Sequence, residues 1–176
     1  MNYLYLSIIC IMLFSCKKST GDLPVVNQVN LEKYCGTWYE IARLPNRFEK
    51  GLECVTATYK LREDGKIEVI NKGHKIGEPG KISKIKGVAR IPDRNQPGKL
   101  KVCFFWPFSG NYYILVLEES YRYALIGEPS RKYLWVLSRD KQIDNTVYEK
   151  LLKKAAQMGF DSRSVVKTKQ DCNKID

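Results

Sequence analysis

GTWYEIAR at residues 36–43 and YLWVLSR at residues 133–139 are the two stretches that decide the fold. The first opens a series of short β segments with alternating apolar and polar residues, and the second closes it. An Arg guanidinium packs favourably over the face of an indole. We therefore expect Trp38 and Arg139 to meet in space and to plug one end of a closed sheet.

Eight segments between residues 36 and 139 have the alternation and the turn boundaries of strands. Turns such as the one at residues 63–66, which contains Asp64-Gly65, join neighbours tightly, and short connections favour antiparallel pairing. Eight antiparallel strands in sequence order close into a barrel that holds one small ligand. The sequence therefore predicts an all-β fold, an eight-stranded antiparallel up-and-down β-barrel, with strands at residues 36–43, 55–61, 67–73, 85–91, 100–105, 112–117, 123–127 and 133–139.

The strand count also sorts the loops. Strand one leads away from Trp38 and strand eight returns to Arg139, so both residues fall at one end. Trp106 and Phe108 belong to the opposite end, where they cap the cavity, dip into lipid or form the face of a homodimer; the sequence leaves these three open. The loops of this ligand-entrance end are 44–54, 74–82, 106–111 and 127–132.

The inward face predicted from the alternation is mostly apolar, with a few hydroxyl and amide groups. Such a lining suits an acyl chain with a polar head. The alternative is a barrel filled by its own side chains. The predicted ligand-binding residues are Ala57, Tyr59, Val69, Asn71, Val102, Phe104, Tyr113, Leu115, Tyr133 and Trp135.

A helix is predicted at residues 146–158, after the barrel. Thr146 and Glu149 form a capping box, and Gly159 is placed to end the helix. Its apolar stripe predicts that it packs against the outside of the barrel. Residues 164–168 are expected to add a ninth strand.

The N-terminal segment does not have the pattern of a folded domain. Its apolar run at residues 3–14 is too short to cross a bilayer, which takes roughly 20 residues, and has the length of a secretory signal core. Leu13-Phe14-Ser15-Cys16 resembles a bacterial lipobox, which implies cleavage before Cys16 and a diacylglyceryl thioether on its sulfur, with acyl groups such as palmitate. A plain secretion signal or a short buried helix is the alternative. We therefore assign 1–15 to a lipoprotein signal peptide, 16–30 to a lipid-anchored tether and 31–176 to the barrel domain.

The formal net charge of +11 suggests anionic partners. Phospholipid head groups fit an exported protein better than nucleic acid does, because no exposed platform of aromatic and basic residues is evident. The scatter of the cations also fits simple solvation of outward strand faces.

Catalysis finds little support in the sequence. His74, the only histidine, should face outward or lie in the entrance loop, so no histidine is left inside the barrel for a Ser-His-Asp triad. Cys103 falls on the outward face, away from a barrel cavity, where it could not act as a nucleophile. The cysteine spacings do not match a zinc site. We predict a binding protein without cofactor or metal rather than an enzyme.

Five motifs resemble the lipocalin family, most closely its bacterial outer-membrane and apolipoprotein D branches. They lie at residues 38–43, 48–51, 55–59, 69–73 and 133–139, in the family's order, and the resemblance covers roughly residues 31–170. It implies an outer-membrane protein, anchored on the periplasmic side, that binds fatty acids or lysophospholipids for envelope lipid transport, storage or repair. A lipocalin-type enzyme and an envelope interaction protein with a filled barrel are the alternatives.

The same resemblance implies a disulfide between Cys54 and Cys172, at positions that match one in apolipoprotein D. Export makes disulfides permissible. Cys35 and Cys103 remain unassigned: each is free, or the two belong to a second bridge.

Overall fold

The structure is a computed structural model that describes residues 22–172. Its core is a series of eight strands in chain order, followed by a helix and a short ninth strand. The strands are β1 (Gly36–Arg43), β2 (Leu52–Leu61), β3 (Ile67–Lys75), β4 (Ile82–Arg90), β5 (Lys99–Phe105), β6 (Phe108–Leu117), β7 (Tyr123–Gly127), β8 (Leu134–Ser138) and β9 (Val166–Lys167). The helices are α1 (Leu31–Tyr34) and α2 (Asn145–Gln157), with a 3₁₀ turn at Ser162–Ser164.

The sheet closes into a barrel, as predicted. Each strand from β2 to β7 pairs antiparallel with the next one in the chain, and β1 pairs with both β8 and β2, which closes the barrel. The register places Trp38 opposite Ala57 and Glu40 opposite Leu137. The predicted ninth strand is present as β9, which adds to the outside of β1 at Arg43 and Ala42.

The two ends of the barrel differ. At the closed end, α1 lies beneath the strands, and its Tyr34 is buried against Trp38 with ring centroids 5.2 Å apart. Trp38 Nε1 donates to the Tyr34 carbonyl at 2.9 Å. The opposite, open end is hereafter the mouth; it is formed by loops 44–51, 76–81, 106–107 and 128–133.

The predicted helix forms, but its cap differs from the prediction. Asp144, rather than Thr146, is the N-cap residue, and its Oδ1 accepts from the Thr146 and Val147 backbone N–H groups. A carboxylate at this position also interacts favourably with the helix dipole. Tyr148, Leu151 and Ala155 of α2 are buried against the outer wall of the barrel.

Residues 22–30 pack on the barrel, although the sequence predicted a tether over 16–30. Leu23 is buried with the side chains under α2, and the Val26 N–H donates to the Ile114 carbonyl at 3.0 Å. Asp22 forms an ion pair with Lys99. The predicted signal peptide (1–15) and the proposed lipidation site Cys16 lie outside the described residues.

Candidate ligand-binding site

The inner wall of the barrel is closely packed in its closed half. Trp38, Ile67, Val69, Val102 and Ile114 pack together there and are buried. Successive side chains of a strand point to opposite faces of the sheet, and these residues all point into the barrel. The closed half therefore forms a floor rather than open space.

Three tyrosine hydroxyls form a chain within this floor. Tyr112 Oη lies 2.6 Å from Tyr34 Oη and 2.8 Å from Tyr59 Oη. Burial raises the pKa of all three phenols, so they stay neutral at physiological pH. Three hydroxyls carry three hydrogens and the chain uses two, which leaves one donor for a further polar group.

The wall is more accessible towards the mouth. Ala57, Asn71, Ile85, Phe104 and Trp135 have inward positions, yet each is only partly buried. Ala57, Asn71 and Ile85 are consecutive partners across β2, β3 and β4, so they share one face. The interior therefore changes from a packed floor to an accessible wall along the barrel axis.

Asn71 has an unusual environment on this wall. Its Oδ1 is buried and has no hydrogen-bond partner among the described residues. Leaving a buried polar atom unpaired costs about 1–3 kcal/mol. In the described part of the chain, Asn71 Oδ1 is therefore an unpaired acceptor on the inner wall.

A charged cluster lies on β1 and the adjoining mouth loop. The Arg43 Nη1 donates to Glu40 Oε1 at 2.6 Å and to Thr168 Oγ1 at 2.9 Å, and Arg43 Nε lies 3.7 Å from Glu49 Oε2. Thr168 Oγ1 also donates to Glu40. One guanidinium therefore serves two carboxyl groups in a mostly buried site.

This arrangement raises the pKa of the Glu40 carboxyl. Burial, followed by the nearby charge of Glu49, raises its pKa to about 8, against the opposing effect of the Arg43 charge. Glu40 is therefore largely protonated at neutral pH, which lets the cluster hold both carboxyl groups beside a single cation.

A β-bulge brings Arg43 to this position. The pairing of β1 with β8 shifts between Glu40 and Ala42, so one extra residue lies on β1. Ala42, which the alternation placed inward, instead packs on the outer wall among the residues under α2. Arg43 takes the inward phase in its place.

Aromatic side chains line the mouth beside this cluster. Trp135 Nε1 donates to Glu49 Oε2 at 3.1 Å, and Tyr133 stacks on Trp135 with ring centroids 6.0 Å apart. Phe48 packs against Tyr133 with ring centroids 5.8 Å apart. Loop 44–51 is thereby fixed against β8 at the edge of the cavity.

The structure corrects the predicted phase of β6. Leu115 and Tyr113 face outward: Leu115 is buried among the residues under α2, and Tyr113 packs against that cluster. Tyr112 and Ile114 face inward instead. The sequence prediction was wrong because both faces of this strand are apolar, one towards the cavity and the other towards the helix.

The other eight predicted lining residues lie on the inner wall or at the mouth. Asn71 is on the inner wall, and Tyr133 is at the mouth. Tyr59, Val69 and Val102 belong to the buried floor, and Ala57, Phe104 and Trp135 are partly buried against it. The prediction missed Tyr34, Arg43 and Glu49. The two-residue turn that pairs Phe105 with Phe108 does not by itself set the phase of β6, because a register shift between Cys103 and Phe105 brings Tyr112, rather than Tyr113, opposite Leu100.

A disulfide joins Cys54 to Cys172, with Cα atoms 6.1 Å apart. Beside it, the Gln170 amide donates to the Glu40 and Val55 carbonyls, which holds the C-terminal segment across β1 and β2. Cys35 and Cys103 are free thiols. Cys35 is partly buried, and this burial raises the pKa of its thiol.

Two kinds of feature are absent from residues 22–172. No helix there has the length and apolarity needed to cross a membrane. No three His, Cys, Asp or Glu side chains within this range are grouped closely enough to hold a metal ion.

The chain matches proteins of known families. The family model described as "Lipocalin-like domain" matches residues 29–170. The "Outer membrane lipoprotein Blc" of Citrobacter freundii is 44% identical over 161 residues, which cover 90% of each protein. "Temperature-induced lipocalin-1" of Arabidopsis thaliana is 40% identical, covering 85% of this chain and 83% of that protein.

Solved structures show the same architecture. Insecticyanin from the tobacco hornworm Manduca sexta superposes with a TM-score of 0.69 at 25% identity. The alignment covers 88% of this chain and 86% of that one.

Proposed function

The chain belongs to the lipocalin family, and on that basis we propose that it is a lipid-anchored outer-membrane protein that holds a fatty acid or lysophospholipid in its barrel. Its role would be to transport, store or repair envelope lipids. The acyl chain occupies the accessible half of the barrel above the packed floor, and the polar head lies near the mouth.

One observation carries this proposal: inward side chains are buried at the closed end and accessible near the mouth. A barrel filled by its own side chains would bury Ala57, Ile85 and Phe104, yet these are partly accessible. Lipid pockets are mostly apolar with a few polar groups that fix orientation. The accessible wall has that composition.

The polar groups near the mouth support a head-outward orientation. Asn71 offers an amide oxygen without a hydrogen-bond partner in the described part of the chain, and Arg43 of β1, Trp135 of β8 and Glu49 of loop 44–51 form a polar cluster. These groups suit the glycerol hydroxyl or the charged head of a lysophospholipid. The proposed ligand contacts are Ala57, Tyr59, Val69, Asn71, Val102, Phe104, Tyr133 and Trp135.

The proposed location rests on the N-terminal sequence and on the relatives. The lipobox resemblance at Cys16 supports a thioether-linked lipid anchor. Relatives from several bacteria bear the name outer membrane lipoprotein. We propose the periplasmic side of the outer membrane for this chain.

The test is native mass spectrometry of a chain that begins at Lys17, purified from a periplasm. Every residue of the described fold is present in this chain. We expect a fatty acid or lysophospholipid at close to one per chain, which denaturation and lipid extraction would identify. A chain that carries no lipid, and binds none on titration, would favour the interaction protein with a filled barrel.

A pair of variants locates the binding. Ala57→Phe adds a ring to the accessible inner wall, and we expect it to weaken binding about tenfold or more by occupying ligand space. Thr56→Phe places the same ring on the outer face, opposite Lys72, and should bind like the parent chain. Equal affinity of the two variants would contradict a ligand inside the barrel.

A further inference from the structure

Large apolar side chains are concentrated in solvent at the mouth. Most of the exposed large apolar side chains of the described chain lie there, and Trp106, at 89% exposure, is the extreme. The exceptions are Leu61, at the closed end of β2, and Val166, on β9 outside the barrel wall. We call this set the mouth rim: Phe48, Ile76, Ile82, Phe105, Trp106 and Phe108.

The mouth rim comes from three separate loops and the strand ends beside them. Phe48 belongs to loop 44–51, and Ile76 and Ile82 flank the β3–β4 turn. The other three residues form the β5–β6 hairpin. Single exposed apolar side chains are common on protein surfaces, but a concentration of them at one site marks an interaction surface.

Charge also differs between the two ends. Basic residues outnumber acidic ones in the mouth loops, whereas acidic residues slightly outnumber basic ones in the loops at 62–66, 91–98 and 118–122 of the closed end. Lys50 and Lys132 are exposed at the mouth, and Lys72 lies opposite Lys84 on the outer wall just below it. An apolar surface bordered by cations is complementary to an anionic, apolar partner.

We infer that the mouth rim docks on the surface of a bilayer that contains anionic lipid. The apolar side chains enter the boundary between head groups and acyl chains, and the surrounding lysines pair with phosphates. A second copy of the chain is a poorer partner, because a two-fold interface would bring the basic residues of one rim against those of the other.

If Cys16 is lipidated as proposed, the length of the N-terminal chain is compatible with a mouth that faces the bilayer. Asp22 pairs with Lys99 at the closed-end start of β5, and Phe105 at the mouth lies six residues further along that strand. Six residues of strand extend about 20 Å. The six steps from Cys16 to Asp22 span up to about 20 Å, so an anchored Cys16 can reach the level of the rim.

Docking of the mouth on a bilayer would assist the proposed lipid carrier. A mouth held against the bilayer lets an acyl chain pass between membrane and barrel without crossing water. Docking of the mouth rim on the bilayer does not require a ligand in the barrel.

The test uses the unlipidated chain that begins at Lys17 and vesicles of phosphatidylethanolamine with phosphatidylglycerol. Co-flotation should be clear on these vesicles and much weaker on vesicles of phosphatidylcholine alone. Trp106→Ser/Phe108→Ser should lower the partition coefficient about tenfold or more. The control Leu61→Ser removes an exposed apolar side chain at the closed end of the barrel and should bind like the parent chain.

A second pair of variants tests the charge. Lys50→Gln/Lys132→Gln should weaken binding to the anionic vesicles about fivefold for each lysine removed. Lys33→Gln/Lys141→Gln makes the same change in net charge with exposed lysines away from the mouth, and should have little effect. Equal losses in both pairs would mean that net charge acts alone, which would overturn docking through the mouth.

Fluorescence gives a direct reading of the contact. Quenching by doxyl-labelled lipid should reach Trp106 and be largely lost in Trp106→Phe. A rim variant that floats as well as the parent chain, or a rim-dependent dimer without vesicle binding, would overturn the inference. Vesicle binding by a chain that holds no lipid would instead contradict the carrier function alone.

Discussion

The guanidinium of Arg139 lies 3.9 Å from the centre of the Trp38 ring and closes one end of the barrel. Its Nη2 also donates to the carbonyls of Lys33 and Cys35 at 2.7 and 2.9 Å, and its Nη1 donates to the Thr37 carbonyl at 2.9 Å. One side chain at the end of β8 therefore holds α1 and the start of β1 together.

Replacement of this residue tests that arrangement. Lysine carries a compact charge and lacks the planar fork that reaches several carbonyls, so Arg139→Lys should lower the free energy of unfolding by about 2–4 kcal/mol. Urea denaturation measures the loss. Arg122→Lys, at an exposed site whose ion pair with Asp140 is solvent-screened, should cost less than about 0.5 kcal/mol. Comparable losses in the two variants would argue against Arg139 as the closing residue.

The disulfide between Cys54 and Cys172 gives a second prediction. It closes a loop with a sequence separation of 118 residues, so on chain-entropy grounds Cys172→Ser should destabilise the fold by about 3–5 kcal/mol. Reductant should lower the melting temperature of the parent chain but not that of Cys172→Ser. Cys103→Ser removes a free thiol and should respond to reductant as the parent does. A reductant effect that persists in Cys172→Ser would contradict this prediction.

The barrel could be predicted from the sequence because its signals are local and repeated. Period-two alternation and short turns fix the number of strands and their antiparallel order. Parity then places Trp38 and Arg139 at one end without any knowledge of distance. The same alternation identified the inward positions of β2 and β3, such as Ala57 and Asn71, since the outward neighbours there are polar.

The remaining features depend on contacts that alternation does not encode. On β6 the outward Leu115 is as apolar as the inward Ile114, because α2 covers the outer wall. On β1 a bulge turns Ala42 outward and Arg43 inward. No residue in the sequence indicates the position of this bulge. The meeting of Glu40 with Glu49 requires the course of loop 44–51, which sequence alone does not define.

Asn71 gives a third prediction, which separates stability from binding. Since its Oδ1 is buried without a partner in the described structure, Asn71→Leu should raise the free energy of unfolding of the lipid-free chain by about 1 kcal/mol. The same change should weaken lysophospholipid binding by about fivefold to tenfold, because one head-group hydrogen bond is lost. Thermal unfolding and a ligand titration measure the two effects. Thr56→Leu, a polar-to-apolar change on the outer face of the neighbouring strand, should leave lysophospholipid binding unchanged. An Asn71→Leu chain that binds as well as the parent would remove this amide from the site.

Glu40 gives the last prediction, on the dependence of stability on pH. The burial of its carboxyl and the nearby Glu49 charge raise its pKa from the ordinary 4.5 to about 8 in the folded chain. Between those two values the folded state binds one more proton than the unfolded state. Unfolding free energy should therefore fall as pH rises through this window, by up to about 1.4 kcal/mol per pH unit, and level off above it.

Denaturant midpoints between pH 6 and 9 measure this slope. Glu40→Gln keeps a neutral side chain that still accepts from Arg43 and Thr168, but it cannot lose a proton, so the slope of this variant should be nearly flat. Glu63→Gln, exposed in the β2–β3 turn, should keep the slope of the parent chain. Stability that rises with pH in the parent, or a slope that survives in Glu40→Gln, would mean that Glu40 is ionised in the folded chain. The Arg43 charge would then outweigh both burial and the repulsion from Glu49, and the cluster would hold two carboxylates on one guanidinium.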